Sequence, residues 1–287
     1  MNVLIAINRS AESLHAVRKV ALLPFREPPR VHLLVAIMEY HHLDMPKDMR
    51  RELTDEHERG AAEAIADARQ VLSATGWEVH AAVRRGHPNS LILEQASSVD
   101  ADVIALGAAG HNTAFRLVLG STADYVANHA KCSVLVVRPD DTAPDGVALR
   151  GVVVAYDEGP RSRVAVDQAL WFNWRAADAP LTLLRTLERP PLVPNYEIYD
   201  AAHMAQAEEK LAAVAAEFSD RGEVNIVVRE AVEVGNAICQ ECSERHVSLV
   251  FIGDSGKGAV GRFFLGSVSR HVLHTVRGGV WIARAKH

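Results

Sequence analysis

Residues 103–138 read VIALGAAGHNTAFRLVLGSTADYVANHAKCSVLVVR, and residues 249–284 read LVFIGDSGKGAVGRFFLGSVSRHVLHTVRGGVWIAR. A shift of 146 residues lays the second stretch on the first without a gap. It matches Gly107 with Gly253, Gly110 with Gly256, Gly120 with Gly266, Ser121 with Ser267 and Arg138 with Arg284. Both stretches carry a short apolar run, a glycine, two residues, a glycine, nine residues, Gly-Ser, and a second apolar run. A repeat of this length marks a duplicated domain and not a solenoid, whose periods are shorter. The starts of the halves also correspond. Val3 to Asn8 and Val152 to Asp157 are apolar runs, each followed by a helical pattern. Their offset differs from that of the ends by three residues, so a small length change lies between.

Each half reads as alternating strands and helices, beginning and ending on a strand. In the first half strands are expected near 3–8, 31–38, 77–84, 102–107 and 133–138, with helices near 10–23, 51–75, 88–99 and 120–130. Thr54 is the expected cap of the second helix and Gly76 its end. In the second half strands are expected near 151–156, 180–187, 223–230, 248–252 and 279–284, and the first helical pattern runs through Trp174. Short runs rich in Val, Leu and Ile suit a parallel sheet buried on both faces. Each half is therefore expected to be an α/β domain with a five-stranded parallel sheet flanked by helices. The expected boundaries are 1–139 and 151–287. Residues 140–150, whose Asp140 to Gly146 segment is polar and turn-rich, form the linker.

The chain has 287 residues, 48% of them hydrophobic and 23% charged, enough apolar content for two packed cores. A formal net charge of −5 and the absence of a Lys/Arg run argue against nucleic-acid binding. Three cysteines make no disulfide framework and point to a reducing compartment. The opening run Val3–Ile7 is too short for a signal core, and no apolar stretch approaches the roughly 20 residues that span a bilayer. A soluble, cytoplasmic protein without membrane contact is expected.

In an open parallel sheet, ligands bind beyond the carboxyl ends of the strands, at the switch point. Gly107 and Gly253 end the fourth strand of their halves, and Gly120-Ser121 and Gly266-Ser267 open the next helix. A helix start offers unpaired N–H groups and partial positive charge, both suited to phosphate. Glycines let backbone amides approach an anion, and Gly256 and Gly266 are expected to use positive φ. The hydroxyls of Ser121, Thr122, Ser267 and Ser269 are candidate further donors.

Gly-x2-Gly-x9-Gly-Ser, followed by a helix and a Val-Leu-Val-Val-type strand, resembles the universal stress protein family over nearly all of both halves. The resemblance implies two tandem flavodoxin-like or HUP-like domains, and ATP held by this loop, with Mg2+ as a possible companion. It also implies an acidic residue at the end of the first strand and an adenine lined by the second strand. Asp157 fits the acidic position in the second half, with Gly253, Gly256, Lys257, Gly266, Ser267, Val268 and Ser269 as the loop. The first half offers Asn8 with Gly107, Gly110, Gly120, Ser121 and Thr122. Asn8 lacks the carboxylate charge, Ala123 stands in place of Ser269, and His111 in place of Lys257, so the second half reads as the fuller site. Asp254, inside the loop, is expected to be solvated and turned outward. The resemblance further implies that the halves pair through their last strands, Val134–Val137 and Val280–Ala283, imitating a homodimer, with a further homodimer possible.

Other motifs lead elsewhere. Gly253-Asp254-Ser255-Gly256 resembles the surroundings of a serine-protease nucleophile but follows a parallel strand and lacks a positioned His and Asp. Cys239 and Cys242 map onto Leu93 and Ala96, so they are expected to be buried core residues and not a redox pair or zinc site. His41, His42, His271 and His274 read as surface or interface residues. Trp171, Phe172 and Trp174 read as packing residues. Gly253 to Lys257 lacks the spacing of a Walker A loop. No nucleophile with its base is apparent. The functions left open are a nucleotide-dependent stress sensor, a binding module that has lost nucleotide in one or both halves, and a slow ATPase.

Overall fold

In the first half, strand β1 (Asn2–Ile7) lies between β2 (Arg30–Ile37) and β4 (Val103–Gly107), and all pairings are parallel. β3 (Glu78–Arg85) adds beyond β2 and β5 (Ser133–Val137) beyond β4, giving the order β3-β2-β1-β4-β5. The connecting helices are α1 (Ala11–Leu22), α2 (Lys47–Leu72), α3 (Pro88–Ser98) and α4 (Ser121–His129). The second half repeats the plan. β6 (Val152–Ala155) lies between β7 (Leu181–Glu188) and β9 (Leu249–Gly253), with β8 (Val224–Ala231) and β10 (Gly279–Ala283) outside them. Its helices are α5 (Pro160–Ala169), α6 (Ala201–Ala216), α7 (Val234–Glu244) and α8 (Ser267–Thr275).

This computed structural model describes residues 1–39, 46–108, 119–139, 149–189, 201–254 and 265–286. It divides into two compact units. Unit 1 holds Met1–Ala21, Glu27–Pro139 and Lys286; unit 2 holds Leu22–Arg26, Asp140–Ala285 and His287.

The sheet registers explain the three-residue change in offset. Val3 pairs with Val103, and Val152 pairs with Leu249. Val152 thus takes the place of Val3, 149 residues on, while Leu249 takes that of Val103, 146 residues on. The length change is absorbed outside the sheet, because a one-residue slip within it would turn every side chain to the wrong face.

Burial follows position in the sheet. Val3, Leu4, Ile5, Ile104, Val134, Leu135, Val152, Val153, Leu249 and Val250 are all fully buried. β3 has one neighbouring strand in its unit, and its polar residues Glu78, His80 and Arg85 are exposed. Charged side chains on an outer strand discourage unwanted pairing.

Local signals set the helix ends, with two corrections to the sequence reading. α3 and α5 both begin on a proline, whose fixed φ suits the first helical turn. Ser10 caps α1 by accepting from Ser13 N at 3.2 Å. Thr54, expected to cap α2, lies inside it; the helix starts at Lys47, and Thr54 Oγ1 donates to the Arg50 carbonyl at 2.9 Å. A threonine in mid-helix satisfies its hydroxyl by bonding back one turn. Gly76 does stop the following 3-10 turn, in the left-handed conformation at φ 69°. The helical pattern through Trp174 is also shorter than expected. α5 ends at Ala169, and Trp174 opens a separate 3-10 turn, its Nε1 donating to the Ala169 carbonyl at 3.0 Å. Phe172 and Trp174 are buried against Phe251 and Trp281, with ring centroids 4.9–5.9 Å apart across this group. They pack the core of unit 2, while Trp171 is half-buried.

Candidate functional site

In each unit the switch point lies between the first and fourth strands, because the second and third strands build outward on one side and the fifth on the other. Unit 2 places Asp157 just beyond β6 and Gly253-Asp254 at the end of the adjacent β9. Unit 1 places Asn8 just beyond β1 and Gly107-Ala108 at the end of β4.

Asp157 is exposed and sits in a tight polar turn. Its Oδ1 accepts from Gly159 N at 2.9 Å and from Ser162 Oγ at 2.5 Å, and Ser162 Oγ accepts from Asp157 N at 3.1 Å. A Cβ on Gly159 would lie 2.8 Å from Asp157 Oδ1, so a larger residue here would make the carboxylate shift; unit 1 carries Ser10 at the corresponding place. In unit 1, Asn8 Oδ1 accepts from Ser10 N at 2.9 Å, and Asn8 N donates to Ser13 Oγ at 3.2 Å. The Ser13 hydroxyl donates to backbone carbonyls, Asn8 O being nearest at 2.7 Å. The turn is thus built twice with the same skeleton but with a carboxylate only in unit 2. Ser13 and Ser162 were missed in the sequence, although both stand five residues after the strand-end residue.

Gly107 and Gly253, expected from sequence to belong to the phosphate loop, also have a packing role. A Cβ at Gly107 would lie 2.6 Å from the Glu12 carbonyl oxygen, and one at Gly253 would lie 2.8 Å from that of Arg161. The first turn of α1 or α5 presses on the strand end, and only glycine leaves it room. Gly120 and Gly266 occupy the N-cap positions of α4 and α8. Their φ values are −68° and −62°, which corrects the expectation of positive φ at Gly266; a helix entered from extended backbone has no need of it. Gly120 N donates to the Ala108 carbonyl at 2.6 Å, and Gly266 N donates to the Asp254 carbonyl at 2.7 Å. These bonds close the base of the glycine loop in both units. Beyond them the amides of Ser121, Thr122 and Ala123, and of Ser267, Val268 and Ser269, form the first helical turn, where a helix has no internal acceptors. Ser121 and Ser267 are exposed, and Thr122 and Val268 are half-buried. Ser269 is buried, and its hydroxyl donates to the Gly253 carbonyl at 2.6 Å, tying helix to strand end. Gly110, His111, Gly256 and Lys257 lie outside the described residues, as do His41 and His42.

Asp254 does not turn outward. Its residue exposure is 6%, and its carboxylate pairs with Arg161 Nη1 at 3.1 and 3.2 Å and with Arg284 Nε at 3.4 Å. A buried carboxylate requires such compensation, and Arg284 is equally buried. Neither arginine was assigned a role from sequence, though Arg138 and Arg284 align in the repeat. In unit 1 burial lowers the pKa of the Arg138 guanidinium. Beside Asp157, Glu158 adopts φ 65° and pairs with Arg185 and with Lys210, the latter at 2.8 Å. The residue after Asn8 has the opposite charge: Arg9 pairs with Glu63 at 3.3 Å.

Cys242 is buried, whereas Cys239 is only half-buried, a partial correction to the expectation that both lie in the core. Their counterparts Leu93 and Ala96 show the same pattern. Burial raises the pKa of both thiols. None of the three cysteines is in a disulfide, and among the described residues no cluster of three or more metal-binding side chains occurs. No described helix is long and apolar enough to cross a membrane.

Known proteins agree with this architecture. A universal stress protein from Mycolicibacterium smegmatis is 26% identical over 238 residues, covering 80% of this chain and 78% of its own. A putative universal stress protein from Staphylococcus aureus is 26% identical over 146 residues, which is 50% of this chain and 87% of the relative. The crystal structure of a universal stress protein from Archaeoglobus fulgidus superposes with a TM-score of 0.70 at 20% identity, covering 100% of this chain and 98% of that one; at such identity it speaks for the fold alone. The model of the universal stress protein family matches residues 1–138 and again 149–284. With a family domain in each half, this chain belongs to the universal stress protein family.

Proposed function

We propose that this chain is an ATP-binding stress-response protein, and that unit 2 is its fuller nucleotide site. The observation that carries the reading is the convergence at the unit 2 switch point. The Asp157 carboxylate lies beyond β6, and the Gly266 amide is anchored to the base of the loop after β9. The next amides, at Ser267, Val268 and Ser269, begin α8. Helix-start amides suit phosphate, and a strand-end carboxylate suits a ribose hydroxyl or a Mg2+ ion. On the family resemblance, Gly253, Gly256 and Lys257 complete this loop. Gly107, Gly110, Gly120, Ser121 and Thr122 form the corresponding loop beside Asn8. Ser269 acts from its backbone amide, since its hydroxyl is already donating to Gly253. The role is that of a nucleotide-dependent sensor in the cytoplasm. The family resemblance also supports pairing of the two halves through their last strands.

A mass spectrum of small molecules carried through purification, followed by thermal-shift assays with ATP, ADP, AMP and GTP, tests this. A ligand present at 100 times its Kd stabilises the native state by about 2.7 kcal/mol. A clear rise in melting temperature with adenine nucleotides is the expected result. No shift with any nucleotide would move the assignment to a binding module that has lost its ligand.

A further inference from the structure

The two units carry opposite charges where the helix after the first strand overhangs the end of the fourth. In unit 1 the overhanging residue is Glu12, above Gly107-Ala108; in unit 2 it is Arg161, above Gly253-Asp254. Arg161 is anchored by its backbone, which packs at 2.8 Å on the position a Gly253 Cβ would take. Its side chain is 43% exposed, whereas that of its partner Asp254 is 8% exposed. Asp254 in turn holds the loop base through its carbonyl, which accepts from Gly266 N at the start of α8. A carboxylate this close to a phosphate-binding helix start opposes an anion unless its charge is neutralised. Arg161 and Arg284 supply that neutralisation, and together with Asp254 they make a local charge of about +1.

We infer that Arg161 is a positioning and specificity residue of unit 2, which masks Asp254 and biases the site toward ligands carrying several phosphates. This inference rests on the nucleotide reading above. Of the two arginines that hold Asp254, Arg161 is the one an incoming anion can reach, because its guanidinium is half exposed while Arg284 is enclosed. Its effect on affinity therefore grows with the number of phosphates and is small for adenosine. Unit 1 provides the precedent for the suppressor: Ala108 stands beside the loop base there, so an alanine is compatible with this backbone.

The test is calorimetry on the full chain with ATP, AMP and adenosine, for the unaltered protein and for R161M, R161K, D254A and R161M/D254A, with melting temperatures recorded for each. R161M is expected to weaken ATP binding at unit 2 at least tenfold and adenosine less than threefold. R161K is expected to keep most of the affinity. Adding D254A to R161M is expected to recover affinity, because the unmasked carboxylate is gone. Melting temperatures separate this from a general loss of fold, since a purely structural role lowers binding of all three ligands together. If the unaltered protein binds ATP but R161M binds it as well, or if R161M/D254A binds no better than R161M, the inference is overturned and the nucleotide reading survives. If the unaltered protein binds no nucleotide, both fall.

Discussion

Unit 1 and unit 2 share a backbone plan and differ in the charges set upon it. The turn after the first strand has the same serine-stapled skeleton around Asn8 and around Asp157. The glycine loop is closed by the same amide-to-carbonyl bond, from Gly120 to Ala108 and from Gly266 to Asp254. The residues at the start of α4 and α8 show the same sequence of burial. Yet where unit 1 has Asn8, Arg9, Glu12 and Ala108, unit 2 has Asp157, Glu158, Arg161 and Asp254. Glycine packing and loop closure are demands of the fold, so duplication preserves them in both copies. Charge at the mouth is not such a demand, and there the copies are free to diverge toward different ligands.

The largest expected effect falls on what the units share. Gly107→Ala and Gly253→Ala each place a methyl group against helix backbone that cannot swing aside, and each should cost about 3 kcal/mol of stability. Chemical denaturation of both variants reads this directly. A cost in one unit alone would show that the two strand ends are packed differently after all.

Next comes the loop itself. Valine adopts φ near −62° without strain, so Gly266→Val should fold. It should nevertheless lose ATP affinity at unit 2 about tenfold, or ~1.4 kcal/mol, by crowding the amides of α8. Calorimetry on Gly266→Val and Gly120→Val compares the units, with the smaller loss expected for Gly120→Val. Unchanged affinity in a folded Gly266→Val protein would falsify the role of this loop in phosphate binding.

A smaller change exchanges the strand-end residues. Asp157→Asn gives unit 2 the residue of unit 1 and should weaken binding of Mg-ATP about fivefold, or ~1 kcal/mol. Asn8→Asp should strengthen unit 1. Titrations with and without Mg2+ check the pair. Equal responses in the presence and absence of the metal would mean that the carboxylate serves a hydroxyl and not an ion.

The smallest effect concerns α7. Replacing Cys239 with Leu and Cys242 with Ala copies Leu93 and Ala96 of unit 1. It should leave nucleotide binding unchanged and alter stability by about 1 kcal/mol. Burial raises both thiol pKa values in the folded chain. In the unfolded chain a thiol ionises at about pH 8.5. Below that pH both states keep the proton and the thiols cost nothing. As pH rises past it the unfolded state alone gains from ionisation, and stability falls. Unfolding curves at pH 7 and pH 10 should therefore show a larger loss for the unaltered protein than for the double variant. Rapid labelling of Cys242 in the native state would contradict its burial.

Much of this was legible in the chain. The apolar runs marked all ten strands among the described residues, and the repeated glycine spacing located both loops at the switch points. What stayed hidden depended on partners distant in sequence. Asp254 reads as a solvated loop residue until Arg161, 93 positions earlier, is seen to reach it. The second demand on Gly253, room for the first turn of α5, is invisible until that turn is seen resting on it. Thr54 reads as a cap because capping chemistry is local, but the polar segment before it continues the helix back to Lys47.

By itself, the order of residues determined that this chain is a duplicated α/β domain of the universal stress protein family. Strand periodicity, turn residues and repeat spacing are short-range properties that survive without knowledge of contacts. Only the tertiary structure decided how charge is arranged at each switch point. That arrangement enclosed Asp254 between two arginines and left Asp157 open, because burial and pairing depend on which elements the sheet brings side by side.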